Sequence, residues 1–150
     1  MAEAAFACPL TKGKRILVAL DGSKHSEKAL DQAISMAKIC NSELFAISVV
    51  DLYPEAMEMA PKLLEKMSDD VREILERAKQ KAEQENITCE TIVHMGGTAN
   101  EFIIREAKEK NIDLIVMGTH GRTAFKRLIM GSVAERVIAA APCAVLVTPL

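Results

Sequence analysis

A chain of 150 residues, 49% of them hydrophobic, encloses a core of ordinary size, and its length is that of one domain. The net charge of −2, from 19 Lys and Arg against 21 Asp and Glu, speaks against a general polyanion binder, and 3% aromatics with no Trp leave few platforms for stacking bases, so nucleic acid is not an expected partner. The longest apolar runs, such as Ile16-Leu17-Val18-Ala19-Leu20, fall far short of the roughly 20 residues that cross a bilayer, so no membrane span is expected either.

Residues 1–10 carry Glu3, no basic segment and a short apolar stretch broken by Pro9. This is a poor secretory signal and makes the cytoplasm the expected location. Residues 1–13 read as a flexible extension of a single domain covering 1–150. Residues 14–20 form a short apolar run closed by the turn Asp21-Gly22-Ser23, as expected of a strand buried on both faces. Leu30, Ala33, Ile34, Ala37 and Cys40 then recur at helical spacing, predicting a helix from about Lys24 to Asn41 with Ser23 placed to cap it. A second apolar run, Leu44 to Val50, ends at Asp51 and completes a βαβ unit.

Tyr53 to Pro61 has two prolines and a weak pattern, so it reads as a loop or loosely held helical turn. Met67, Val71, Ile74, Leu75, Ala78 and Ala82 restore an apolar stripe on a charged helix reaching about Asn86. Thr88 to His94 is a third strand, followed by Gly96-Gly97. Thr98 and Glu101 have the spacing of a capping box, which starts the next helix near Ala99. Asp113 to Met117 is a fourth strand ending at Gly118, Ser132 to Ala141 a helix stopped by Pro142, and Ala144 to Thr148 a last strand. The alternation βαβαβαβαβ calls for a parallel sheet covered by helices on both faces.

Cys8, Cys40, Cys89 and Cys143 are widely spaced with no CxxC pair, which fits neither a zinc site nor a disulfide framework; all four are expected as reduced, mostly buried thiols. His25, His94 and His120 show no metal-ligand spacing.

Ligands of open α/β sheets bind beyond the carboxyl ends of the strands, where strand order reverses. Three features fall at such ends: Asp21-Gly22-Ser23, Asp51, and the connection from Gly118 to Gly131. The last reads Gly118-Thr119-His120-Gly121, nine residues, then Gly131-Ser132 at a helix start. Glycines let backbone N–H groups turn toward a phosphate, and the helix N-terminus adds partial positive charge. The spacing is neither GxxxxGK[ST] nor GxGxxG, so neither of those mechanisms applies. Gly118 and Gly121 equally suit a plain turn, and Ser132 with Glu135 has capping-box spacing, so a purely structural role stands beside the phosphate reading. Asp21 and Asp51 are candidates to hold a divalent cation together with phosphates, and Arg122, Lys126 and Arg127 form a local basic cluster that either draws in a polyphosphate or is simply solvated.

The pattern Gly118-x2-Gly121-x9-Gly131-Ser132, the run from Lys14 to Ser23, and the ending from Gly131 through Val137 to Pro142-Cys143-Ala144-Val145-Leu146-Val147 resemble the universal stress protein family, in its ATP-binding branch. The resemblance implies a Rossmann-like fold of the adenine nucleotide alpha hydrolase type, with five parallel strands in the order 3-2-1-4-5 and ATP between the ends of strands one and four. It implies that Gly118, Gly121, Gly131 and Ser132 contact phosphates or ribose. Ala19 and Asp21 would lie against base and sugar, and Val49 would touch adenine. Met117, Thr119, His120, Arg122 and Val133 are further candidates for the same pocket, and Mg²⁺ or Mn²⁺ would sit on Asp21 with the phosphates.

The functional expectation is an ATP-binding stress-response protein that changes partner contacts or assembly with nucleotide state. The sequence shows no Walker lysine and no evident catalytic base, so turnover is expected to be slow. A slow ATPase or autophosphorylating enzyme and a nucleotide-independent interaction module are the alternatives. The last strand, 144–148, carries no charge to block pairing and is the expected homodimer edge. Regulatory proteins are the further expected partners.

Overall fold

The computed structural model describes residues 7–10, 14–121 and 130–149. The elements run β1 (Arg15–Ala19), α1 (Lys24–Cys40), β2 (Glu43–Val50), α2 (Pro54–Met59), α3 (Pro61–Gln84), β3 (Cys89–Met95), α4 (Ala99–Glu109), β4 (Leu114–Gly118), α5 (Ser132–Ala140) and β5 (Ala144–Thr148). All four strand pairings are parallel and the sheet order is β3-β2-β1-β4-β5, as expected.

The central strand β1 explains the two layers. Its residues alternate between faces, so Ile16 and Val18 join α1 and α3 in one core, while Leu17 joins Phe45, Ile47, Ile103, Ala134 and Val137 in the other, against α4 and α5. Because both faces are buried, the strand carries no polar alternation, which is why it reads as a continuous apolar run. At its lower end the Asp113 carboxylate accepts from the backbone N–H groups of both Lys14 and Arg15 at 3.0 Å, fixing the register of β1 against the start of β4.

Helix α1 begins as its sequence predicts. The Ser23 hydroxyl accepts from the Ser26 N–H at 3.2 Å, and the helix closes on Asn41 in the left-handed region at φ 51°. Other helix boundaries differ from expectation. α3 starts at Pro61, six residues before Met67, because Pro at the first position supplies a preset φ and gives up an N–H that would have no helical partner. The Tyr53–Pro61 region holds the short helix α2, none of whose residues is buried. Thr98 is the N-cap of α4, but its hydroxyl makes no capping bond and is buried without a partner. The N-cap of α5 is Gly131, so Ser132 already lies inside the helix, one position too late for its hydroxyl to cap.

The cysteines require a correction. Cys8 and Cys40 are joined in a disulfide, not held as reduced thiols. Residues 7–10 pass beside the C-terminal end of α1, bringing the two Cα atoms to 4.8 Å although 32 residues separate them in sequence; spacing along the chain carries no such information. Cys89 is a buried free thiol and Cys143 a half-buried one.

Burial pushes the Cys89 thiol from its ordinary 9.0 up to about 11, with Glu83 and Glu90 adding to the rise and Lys79 opposing it. The folded state therefore keeps its proton where the unfolded chain has lost it. Stability contributed by the neutral thiol is complete below pH 9 and falls as pH rises toward about 11, by about 2–3 kcal/mol in all. Urea unfolding across pH 8 to 11 checks this, and the expected result is a shallower alkaline decline in Cys89→Ala than in the parent protein.

Candidate functional site

Strand order reverses between β1 and β4, and the carboxyl ends of these two strands open a cavity of about 330 Å³. Ala19, Leu20 and Asp21 leave β1 on one side; Met117, Gly118, Thr119, His120 and Gly121 leave β4 on the other. Ile47 and Val49 of β2 and Ala99 and Ile103 of α4 form an apolar wall, and Gly131, Ser132, Val133 and Ala134 bring in the start of α5. The cavity thus has an apolar end against β2 and α4 and a polar side lined by backbone and by Asp21, Ser26, Thr119, His120 and Ser132, a division common in small-molecule sites.

Every described residue proposed for the pocket from sequence lines this one cavity: Ala19, Asp21, Val49, Met117, Gly118, Gly121, Gly131, Ser132 and Val133, together with Thr119 and His120. Arg122, Lys126 and Arg127 lie outside the described residues. Asp51, a candidate cation ligand, is exposed beyond the end of β2 and does not line the cavity. Leu20, Ser26, Ile47, Ala99, Ile103 and Ala134 line it without having been singled out. Their signal in the sequence is only core periodicity, which does not distinguish a wall facing a cavity from one facing another helix.

The glycines are shaped by close approach of backbone. A Cβ on Gly118 would stand 2.6 Å from His25 Cβ and 2.9 Å from the His25 carbonyl carbon, so the end of β4 reaches the first turn of α1 only because Gly118 has no side chain. A Cβ on Gly131 would meet the Thr119 carbonyl oxygen at 3.1 Å, the same oxygen to which the Gly131 N–H donates at 2.6 Å. A Cβ on Gly121 would meet Asp21 Oδ2 at 2.7 Å. The structural and ligand-facing roles of these glycines therefore coexist at the same rim.

Asp21 shapes its own turn, since Oδ1 accepts from the Ser23 N–H at 2.9 Å. The first N–H groups of α5, from Ser132 onward, have no partner within the helix, and its N-cap, Gly131, has no side chain to cap them. They border the polar rim of the cavity and carry the partial positive charge of the helix terminus. His25 and His120, in separate parts of the sequence, come together at the same rim with ring centroids 5.3 Å apart, each within reach of the Thr119 hydroxyl, at 3.5 and 3.0 Å. His94 lies elsewhere, inside β3, on Glu106 at 2.6 Å and stacked on Phe102. Among the described residues no three metal-binding side chains converge.

A parallel α/β sheet with a partly apolar cavity and a helix N-terminus at its switch point defines a class of small-molecule-binding proteins. Over residues 13–149 the sequence matches the model of the universal stress protein family, and the chain belongs to that family. A universal stress protein of Methanocaldococcus jannaschii is 41% identical over 141 residues, covering 89% of this chain and 81% of the relative. Among solved structures, universal stress protein UspA from Lactobacillus plantarum superposes with a TM-score of 0.83 at 26% identity, over 91% of this chain and 98% of the other. A universal stress protein solved in complex with cAMP superposes with a TM-score of 0.66 at 25% identity, over 91% of this chain and 96% of the other.

The glycine contacts rank two substitutions. Gly118→Ala drives a Cβ onto the Cβ and carbonyl carbon of His25 and is expected to cost about 1–3 kcal/mol, whereas Gly121→Ala meets, among the described residues, the carboxylate end of Asp21 and is expected to cost less. Urea denaturation of both variants checks the order; equal stabilities would contradict the packing account of Gly118.

Proposed function

We propose that this chain is an ATP-binding regulatory protein of the stress response whose contacts or assembly depend on the nucleotide it holds. The observation that carries the reading is the cavity itself: an apolar slot between Val49, Ile47 and Met117 that suits a purine, continuous with a rim of uncapped α5 N–H groups that suits phosphate. The cAMP complex of a related protein supports an adenine nucleotide as the class of ligand.

In this reading Val49 and Met117 lie against the base, Ala19 and Asp21 against base and sugar, and Gly118, Gly121, Gly131, Ser132 and Val133 take the ribose and phosphates. Arg122 belongs to the same proposal. Asp21 is the one carboxylate among the lining residues of the cavity, so Mg²⁺ or Mn²⁺ would be held only with phosphate oxygens completing its shell. A resident metal without nucleotide does not fit this set of side chains. When bound, the cation would neutralise phosphate charge; Asp21 would orient it while the α5 N-terminus takes the remaining negative charge.

Among the described lining residues there is no lysine, and the proposed role is retention and signalling of nucleotide state, not rapid hydrolysis. Assembly is proposed through β5, which pairs with β4 along one side only and presents Ala144–Thr148 without a charge on the other. The corresponding dimer would place two cavities in one particle and give nucleotide a means of altering a shared surface.

Denaturing freshly purified protein and identifying the released small molecules by mass spectrometry tests the reading, with Ser132→Asp as the variant. An Asp at the first position of α5 satisfies the helix dipole and leaves the fold intact, yet opposes a phosphate. The expected outcome is adenine nucleotide near one per chain in the parent protein and at least roughly tenfold weaker binding in Ser132→Asp, the loss of about one charge-assisted contact. A folded Ser132→Asp variant that binds as tightly as the parent would remove the α5 N-terminus from the site. No nucleotide bound, and none taken up at millimolar concentration, would leave a dimeric interaction module as the better reading.

A further inference from the structure

We propose that Cys8 and Cys40 form a redox-reversible clamp, oxidised by hydroperoxides and reopened by dithiols, that fastens the N-terminal segment 7–10 to the lower end of the domain. The pair stands apart from the cavity at the β1–β4 switch point, and one of its members, Cys8, precedes residue 13, where the family match begins.

Three observations carry the inference. Among the described residues, no backbone hydrogen bond ties residues 7–10 to the rest of the molecule; the bond they make is internal, from the Leu10 N–H to Cys8 Sγ. The segment is held by the disulfide and by the half-buried Leu10 side chain, which packs against the core formed with α1 and α3. Opening one covalent bond therefore leaves little to keep it in place. Second, the two sulfurs differ in access. Cys40 is buried at 7% exposure as the last residue of α1, whereas Cys8 is half-buried on an irregular segment with exposed neighbours Ala7 and Pro9. A peroxide or an incoming thiolate reaches the Cys8 side. Third, the remaining thiols are poor competitors, because burial raises the pKa of both Cys89 and Cys143.

The chemistry balances with a hydroperoxide as oxidant. The Cys8 thiolate takes one oxygen of H₂O₂, the O–O bond breaks, and the leaving hydroxide takes up the proton that the Cys8 thiol released, giving a sulfenic acid and water. The Cys40 thiolate then attacks Cys8 Sγ; the S–S bond forms and the S–O bond breaks, with the hydroxide leaving as a second water. In the reverse direction a dithiol supplies two electrons and two protons, its first thiolate attacking Cys8 Sγ and releasing Cys40. The released segment uncovers the groove that Pro9 and Leu10 border together with Lys108, Asp113 and Cys143. Such a bond forms under oxidative challenge and is open in a reducing compartment, which reconciles the pairing with an intracellular setting.

The test counts thiols on the native full-length chain treated with dithiothreitol and then with hydrogen peroxide, with Cys8→Ser and Cys40→Ser in parallel. The parent protein is expected to fall from four titratable thiols in denaturant to two on oxidation and to return to four with dithiothreitol while folded. Either serine variant is expected to form no internal disulfide. Cleavage within residues 7–10 by a broad-specificity protease should quicken roughly tenfold on reduction, with the strands unaffected. A count that stays at four after peroxide, an equal loss of thiols in Cys8→Ser, or a bond that dithiothreitol opens only after unfolding would each overturn the clamp. An unchanged cleavage rate over 7–10 on reduction would overturn its anchoring role.

Discussion

The peptide groups of Thr119 hold together the parts from which the cavity is built. Its N–H donates to the Thr148 carbonyl at 3.1 Å, tying the end of β4 to the end of β5, and its carbonyl accepts from the Gly131 N–H at 2.6 Å, tying the same point to the start of α5. Immediately before it, Gly118 allows β4 to touch the first turn of α1. Two strands and two helices are thereby brought to one place by backbone alone. The glycine spacing can be understood as the steric condition for that convergence, and the exposed α5 N–H groups as its electrostatic result.

From this junction the division of the cavity follows. The sheet contributes Ala19, Val49 and Met117 because parallel strands buried on both faces are apolar throughout, so the point where they end is greasy by default. The helix contributes polarity because its first N–H groups lack partners. The proposed specificity, for a molecule flat at one end and anionic at the other, would arise where these two surfaces meet. The universal stress protein family uses this fold, and the proposed role of the chain rests on that meeting of surfaces, not on the fold alone.

Much of this was legible in the sequence because the informative residues act locally. Ile16 to Ala19 are apolar on both faces and can only be an inner strand; Ser23 caps α1 through a bond within three residues; the glycines and Ser132 sit at fixed offsets. What was missed depends on distance in space. The Cys8–Cys40 bond joins residues 32 apart, and the meeting of His25 with His120 follows only once β4 and α1 are neighbours. The capping-box spacings at Thr98 and Ser132 failed for a related reason: spacing permits a capping bond, but the N-cap position and the packing around it decide whether one forms.

The most direct test is a titration of methyl-labelled protein with ATP followed by NMR, since the central claim concerns where an adenine nucleotide binds. The predicted result is saturable shifts concentrated on Ile47, Val49, Ile103, Met117 and Val133, with orthophosphate alone moving Val133 and leaving the slot unchanged. Shifts confined to other surfaces, or none at millimolar ATP, would contradict the assignment of the β1–β4 cavity as a nucleotide site.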